Sequence, residues 1–278
     1  MVGFMIVPNI AFIDLLPPII VFNDFSSIEF RCILSKTYIF FLFQKLISLY
    51  ILDDELNNLH DFQGTIDGSS GATTLIQLPN GKLYGSTQYG GNSNKGVVFE
   101  YDITLDTLAP KVSLGSTSIG YYPSGEMLES SAGKFLMLMR TGGPNSFAGT
   151  IAEYNSTTNR MSKKVDFDRV SFGASPEGTL IKASINGKYY GLCGYGGTAD
   201  HGVIFEYDNG TNTLTKKIDL SPAPMGKKPS HSLLKAANGK LYGITRRGGA
   251  KKGGVIFEYD ISKSQYENVI DLDINTTG

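Results

Sequence analysis

The chain predicts an all-β protein, a β-propeller-like array of four four-stranded blades behind a non-repeat N-terminal leader. Three observations carry that prediction. A block of roughly 53 residues recurs four times, each block divides into short apolar runs separated by turn residues, and the composition suits many strands and tight turns. Thirty-three glycines, fifteen tyrosines and sixteen phenylalanines stand among 278 residues, with no tryptophan. Glycine supplies positive φ in turns, and aromatic rings fit the pleated, half-buried surface of a strand.

The repeat shows in landmarks that keep register. Gly81-Lys82-Leu83-Tyr84-Gly85 recurs as Gly133-Lys134-Phe135-Leu136-Met137, Gly187-Lys188-Tyr189-Tyr190-Gly191 and Gly239-Lys240-Leu241-Tyr242-Gly243, at offsets of 52, 54 and 52. A diglycine follows each time, at Gly90-Gly91, Gly142-Gly143, Gly196-Gly197 and Gly248-Gly249. Phe99-Glu100-Tyr101-Asp102 then has the counterparts Ala152-Glu153-Tyr154-Asn155, Phe205-Glu206-Tyr207-Asp208 and Phe257-Glu258-Tyr259-Asp260. Pro123, Pro176 and Pro229 open the later copies, and Gly71 holds that place in the first. Within a domain of residues 61–278 the blades are expected near 62–114, 115–167, 168–220 and 221–272, and Leu59 to Phe62 reads as one more outer strand ahead of them.

Each copy divides into four strands. In the first copy they are Thr74-Leu75-Ile76, a strand holding Leu83 and Tyr84, Val97 to Tyr101, and Lys111-Val112-Ser113-Leu114. Short antiparallel strands at a period near 50 match a propeller blade, in which radial packing leaves only short, protected edges. Asn80-Gly81, Asn186-Gly187 and Asn238-Gly239 predict type I′ turns between first and second strands. Asp102 and Asp208, followed by Thr104 and Thr211, predict Asx turns after the third. Whether four blades form a closed ring or an incomplete propeller is left open.

Residues 1–60 lack the pattern. Of the apolar runs Phe4 to Val7 and Ile10 to Val21 the second is broken by Asp14 and Pro17-Pro18, and the run from Tyr38 to Leu52 contains Lys45. None reaches the ~20 apolar residues that a bilayer requires. The third run, preceded by Lys36, resembles the core of a secretory signal peptide without a small-x-small cleavage site, as expected if the natural start lies near Ser35. The alternative is a leader without function. With 25 basic and 26 acidic residues the formal charge is -1, so no electrostatic footprint for nucleic acid is visible and polyanions are not expected partners. Cys32 and Cys193 offer neither a disulfide framework nor metal-ligand spacing.

The repeated strings resemble the GloVer tandem repeat of bacterial exported or surface proteins and, more distantly, the kelch blade with its diglycine. The resemblance covers residues 62–272. It implies a propeller-like fold, export from the cell and association with the cell envelope. The second copy departs from the pattern, with Phe135-Leu136-Met137 for Leu-Tyr-Gly and Ala152 for phenylalanine, so its blade is expected to pack differently.

No catalytic motif is present. There is no Gly-x-Ser-x-Gly elbow, Walker loop or HExxH, and the diglycines lack the strand-to-helix setting of a phosphate cradle. His60, His201 and His231 stand singly, so no metal or other cofactor is expected. Glu100, Glu153, Glu206 and Glu258 lie on third strands, away from an axis where they could ring a metal, and are expected to make hydrogen bonds or face solvent. Lys82, Lys134, Lys188 and Lys240 read as solvated turn residues. Recognition is expected on the face where the second-to-third-strand loops and the blade-joining loops open. Tyr89, Arg140, Tyr195, Arg246 and Arg247 lie there near the diglycines, with Tyr122, Phe172, Lys227 and Lys228 on joining loops. Tyrosine and arginine combine broad contact area with polar tips. The expected function is a noncatalytic secreted or cell-surface module that binds a protein or glycan. The alternatives are a structural spacer in a longer surface protein and an exported propeller hydrolase or oxidase.

Overall fold

The computed structural model describes residues 58–71, 74–144, 148–273 and 275, and the expectations about the leader fall outside them. From Leu59 onward the described residues belong to one unit whose regular structure is strand. Blade 1 contains β1 (Ser69–Gly71), β2 (Ile76–Gln77), β3 (Leu83–Tyr89), β4 (Val97–Asp102) and β5 (Thr107–Ser113). β1 and β2 both pair with β3 and share the place of one inner strand. Blade 2 is β6 (Tyr121–Ser131), β7 (Lys134–Thr141), β8 (Thr150–Asn155) and β9 (Arg160–Asp166). Blade 3 is β10 (Ala174–Lys182), β11 (Tyr189–Tyr195), β12 (Val203–Asp208) and β13 (Thr213–Asp219). Blade 4 is β14 (Lys227–Lys235), β15 (Leu241–Arg247), β16 (Lys252–Asp260) and β17 (Gln265–Asp273). Each sheet is an antiparallel meander in chain order.

Local chemistry explains the turns, with one correction. Asp102, Asn155, Asp208 and Asp260 each accept two backbone N–H groups two and three residues on, so the Asx turns expected at Asp102 and Asp208 occur in all four blades. The Asn-Gly turns are not type I′. Gly81 and Gly239 have positive φ, whereas Asn80 and Asn238 do not, and the Gly81 and Gly239 N–H groups bond back to Leu78 and Ala236. This is a type I turn closed by a left-handed glycine. The outer strand also starts earlier than read, at Thr107, because left-handed Asp106 closes the preceding turn against the Tyr101 hydroxyl.

Three apolar layers join successive blades. Tyr84 and Val98 of blade 1 pack on Phe135, Met137 and Tyr154 of blade 2. Leu136, Leu138 and Ile151 of blade 2 pack on Tyr189, Phe205 and Tyr207 of blade 3. Tyr190, Leu192 and Ile204 of blade 3 pack on Leu241, Phe257 and Tyr259 of blade 4. The second copy packs as its substitutions require: Leu136 fills a tyrosine position, and Ala152 lies in a layer with three methionines. The four sheets form an open arc and do not close into a ring. The last face of blade 4 therefore stands uncovered among the described residues, with Leu234 66%, Ile244 38% and Ile270 50% exposed. At the other end Leu59–Phe62 forms no strand, contrary to expectation, but Phe62 lies edge-on to Phe99 as Phe167 does to Phe205, so this one ring gives blade 1 the contact that the end of an outer strand gives the next blade.

The inner strands meet at close quarters. A Cβ on Gly125 would collide with the Gly178 carbonyl, and a Cβ on Gly178 would collide with the His231 carbonyl. Both glycines have positive φ, 69° and 72°. His231 holds the same repeat position with φ 64° and an exposed side chain. The recurring prolines fit the same junctions, since Pro123, Pro176 and Pro229 pack against Gly96, Gly149 and Gly202 of the preceding blade.

Candidate functional site

Antiparallel order places the start of each inner strand, the end of each second strand and both kinds of loop at one edge of the array, which we term the diglycine face. The diglycine loops are structural. Asn94 and Asp200 accept the Gly90 and Gly196 N–H groups at 2.9 and 2.7 Å. Asp219 and Asp271, on outer strands, accept the Thr198 and Ala250 N–H groups at 3.2 and 2.7 Å. These side-chain oxygens already accept the loop N–H groups that a bound anion would need.

The seven candidate residues stand on strand ends rather than in loops, which corrects their expected placement. Tyr122, Ser175 and Lys228 are left-handed at one repeat position, and their N–H groups bond across the junction to Lys95, Ala148 and His201. Fixing that backbone aims the side chain at the end of the preceding blade's second strand. Tyr122 thus meets Tyr89, with ring centroids 5.2 Å apart, and Tyr121 lies beside it under the Lys95 ammonium. Two junctions further on, the Lys228 ammonium lies 5.0 Å from the centre of the Tyr195 ring, near which Arg169 also stands. Arg247 holds the Tyr89 and Tyr195 position in blade 4 and pairs in register with Lys227. Phe172 packs against the core instead of presenting itself for recognition.

Arg140 and Arg246 converge on a residue that sequence reading missed. Glu177, on inner strand β10, is 8% exposed and lies 2.7 Å from the Arg140 guanidinium of blade 2 and 3.5 Å from Arg246 of blade 4. Gly194, at the repeat position of both arginines, opens the space that Glu177 fills. The signal was a reciprocal exchange: blade 3 has Glu177 and Gly194 where blades 2 and 4 have serine and arginine.

The other edge carries the recurring Glu-Lys-Tyr set. Glu100 lies 2.8 Å from Lys82 and 3.1 Å from Lys111, and the Tyr84 hydroxyl donates to it. Glu206 is held likewise by Tyr190, Lys188 and Lys217, and Glu258 by Tyr242 and Lys240. Lys82, Lys188 and Lys240 are therefore ion-paired clamps rather than free turn residues. Blade 2 lacks the tyrosine and keeps Glu153 near Lys164 at 3.8 Å. Burial pushes the Glu100 carboxyl up, but hydrogen bonds from Lys82, Tyr84 and Lys111 outweigh it and hold the group at about 2. Glu206 is lowered by the same contest. A carboxylate so fully engaged is a poor proton acceptor, and its work is to tie second, third and fourth strands together. Among the described residues no group of three or more His, Cys, Asp or Glu is placed to hold a metal ion.

A model of the Gloeobacter/Verrucomicrobia repeat matches residues 116–278. None of the curated proteins matches the chain in sequence. The extracellular domain of a one-component system, BT4673 from B. thetaiotaomicron, superposes with a TM-score of 0.51 at 10% identity, over 77% of this chain and 24% of its own. An auxiliary nutrient binding protein from Bacteroides thetaiotaomicron VPI-5482 gives 0.49 at 13% identity, over 75% of this chain and 43% of its own. The chain spans about a quarter of the first and less than half of the second.

Proposed function

Because the chain belongs to the Gloeobacter/Verrucomicrobia repeat family, we propose that it is an exported, noncatalytic repeat module that binds a protein or glycan through the diglycine face. The observation that carries this reading is the row of side chains at the blade junctions. Tyr89 with Tyr122 and Tyr195 with Lys228 share one face, on backbone tied across the blades, and Tyr89 and Tyr195 are 40% and 37% exposed. Rings and cations that are pre-positioned lose little conformational freedom on binding, which is what a recognition surface needs. Export is supported by the repeat family.

The test is binding of the purified chain to arrays of glycans and of cell-envelope proteins, repeated with Tyr89→Ala and Tyr195→Ala. At least tenfold weaker binding in either variant, at unchanged Tm, is the expected result. Failure to bind any member of the arrays, or binding untouched in both variants, would leave the spacer reading in its place.

A further inference from the structure

The balanced net charge averages over a surface on which charge is segregated. Blade 4 presents Lys227, Lys228, Arg246, Arg247, Lys251 and Lys252 at the diglycine face, and the last four are exposed. Blades 1 and 3 carry Tyr89 and Tyr195 at the position of Arg247 and Ser70 and Ser175 at that of Lys228, so the cations belong to this blade and not to the repeat. They sit on the ends of adjacent strands: Lys227 is opposite Arg247, and Lys252 begins the next strand. Arg246 lies 3.5 Å from the buried Glu177 carboxylate, which Arg140 shares, and Lys252 stands in register with Asp273 at the end of the outer strand. Edge protection does not account for the cations on β14 and β15, since the outer edge that lysines commonly guard against pairing is β17, two strands beyond β15.

We infer that the blade-4 end of the diglycine face binds an acidic polysaccharide, a chain with one carboxylate or sulfate on successive sugar rings. The inference rests on the reading of this face as a recognition surface and names its ligand class. Neighbouring strands repeat at about 4.8 Å, close to the length of one sugar residue, so cations on β14, β15 and β16 match charges repeated ring by ring. Replacing a tyrosine by Arg247 removes the ring on which a nucleobase would stack and adds a planar fork suited to carboxylate and sulfate oxygens. Beyond the cluster, the Tyr195 ring, flanked by Lys228, supplies an apolar surface for the sugar chain as it leaves the charged end.

The experiment measures binding of the full chain to polygalacturonate, heparin, neutral dextran and a DNA duplex at two salt concentrations. The variants are the triple change Arg247→Glu, Lys251→Glu, Lys252→Glu, and Lys263→Glu at the opposite edge. At least one acidic polysaccharide should bind, dextran should not, affinity should fall with salt, and the triple variant should weaken binding tenfold or more at unchanged Tm. Lys263→Glu should change it less than twofold. Polygalacturonate above heparin marks carboxylate as the group recognised, and the reverse order marks sulfate. Tighter binding to DNA than to both polysaccharides, or an unaffected triple variant, overturns the inference. Binding of a neutral glycan or a protein that depends on Tyr195 but not on the cations would sink the acidic ligand and leave the broader reading standing.

Discussion

Blades 3 and 4 are built from the same repeat, with the same strand order and the same Glu-Lys-Tyr clamp, yet they live in different surroundings. Leu192 and Ile204 of blade 3 are fully buried under blade 4, while Ile244, at the position of Leu192, is 38% exposed and Ile270 is 50% exposed. Gly178 meets the backbone of blade 4, while His231 at the same position projects a side chain outward. The pattern that makes a blade is local, whereas the stability a blade draws from its faces is set by its neighbours. In an array held by nearest-neighbour interfaces, equivalent residues need not have equivalent energies.

The largest expected contrast is between Leu192→Ala and Ile244→Ala. The first leaves a cavity between two blades and should cost about 2–5 kcal/mol, and the second should cost about 1 kcal/mol or less. Equal losses in denaturant unfolding would mean that the last face is covered in solution. Gly178→Ala is next, at about 2–4 kcal/mol, because the added methyl must both hold a left-handed backbone and displace the His231 carbonyl. Unchanged stability there would show that the inner strands separate more easily than their spacing implies.

Acid should act on the clamps of these two blades and on the equivalent clamp of blade 1. Glu100 is held at about 2 against an ordinary value of 4.5, and Glu206 and Glu258 are lowered too. A carboxyl whose folded value is depressed contributes stability that is present above its unfolded value and is lost as pH falls through the folded one. Stability should therefore be flat above about pH 5 and decline toward pH 2, with Glu100 alone accounting for on the order of 2–3 kcal/mol. Glu206→Gln, in the enclosed blade, should flatten this decline more than Glu258→Gln. Equal slopes would assign the acid response to other groups. The smallest effect is expected at His231→Gly, a gain of about 0.5 kcal/mol as relief of the left-handed strain outweighs glycine's entropy in the unfolded chain. A loss above 1 kcal/mol would show that the histidine side chain contributes to the fold.

Much of the fold was legible because it rests on short-range chemistry. Asp102 and Asp208 bond to backbone two and three residues away, so their turns could be read from sequence. The Glu clamps were legible in principle: Lys82 stands just ahead of the strand that carries Tyr84, two positions away, Tyr84 faces Glu100 in register, and the set recurs in blades 3 and 4 but loses its tyrosine in blade 2. They were missed because a lysine beside a turn glycine was read alone. Of the candidate site, the residue types were legible and their company was not. Arg140 and Arg246 lie 106 positions apart and meet at Glu177, which no local pattern announces.

By itself the sequence determined the period, the four strands of each blade, the Asx turns and the family, because alternation, turn chemistry and spacing all act within a few tens of residues. Only the tertiary structure decided that the arc stays open, that Gly178 and His231 face different neighbours, and that the basic side chains of blade 4 gather at one edge while the total charge remains near zero. The physical reason is that burial and field depend on what is near in space, and the chain's order records only what is near along it.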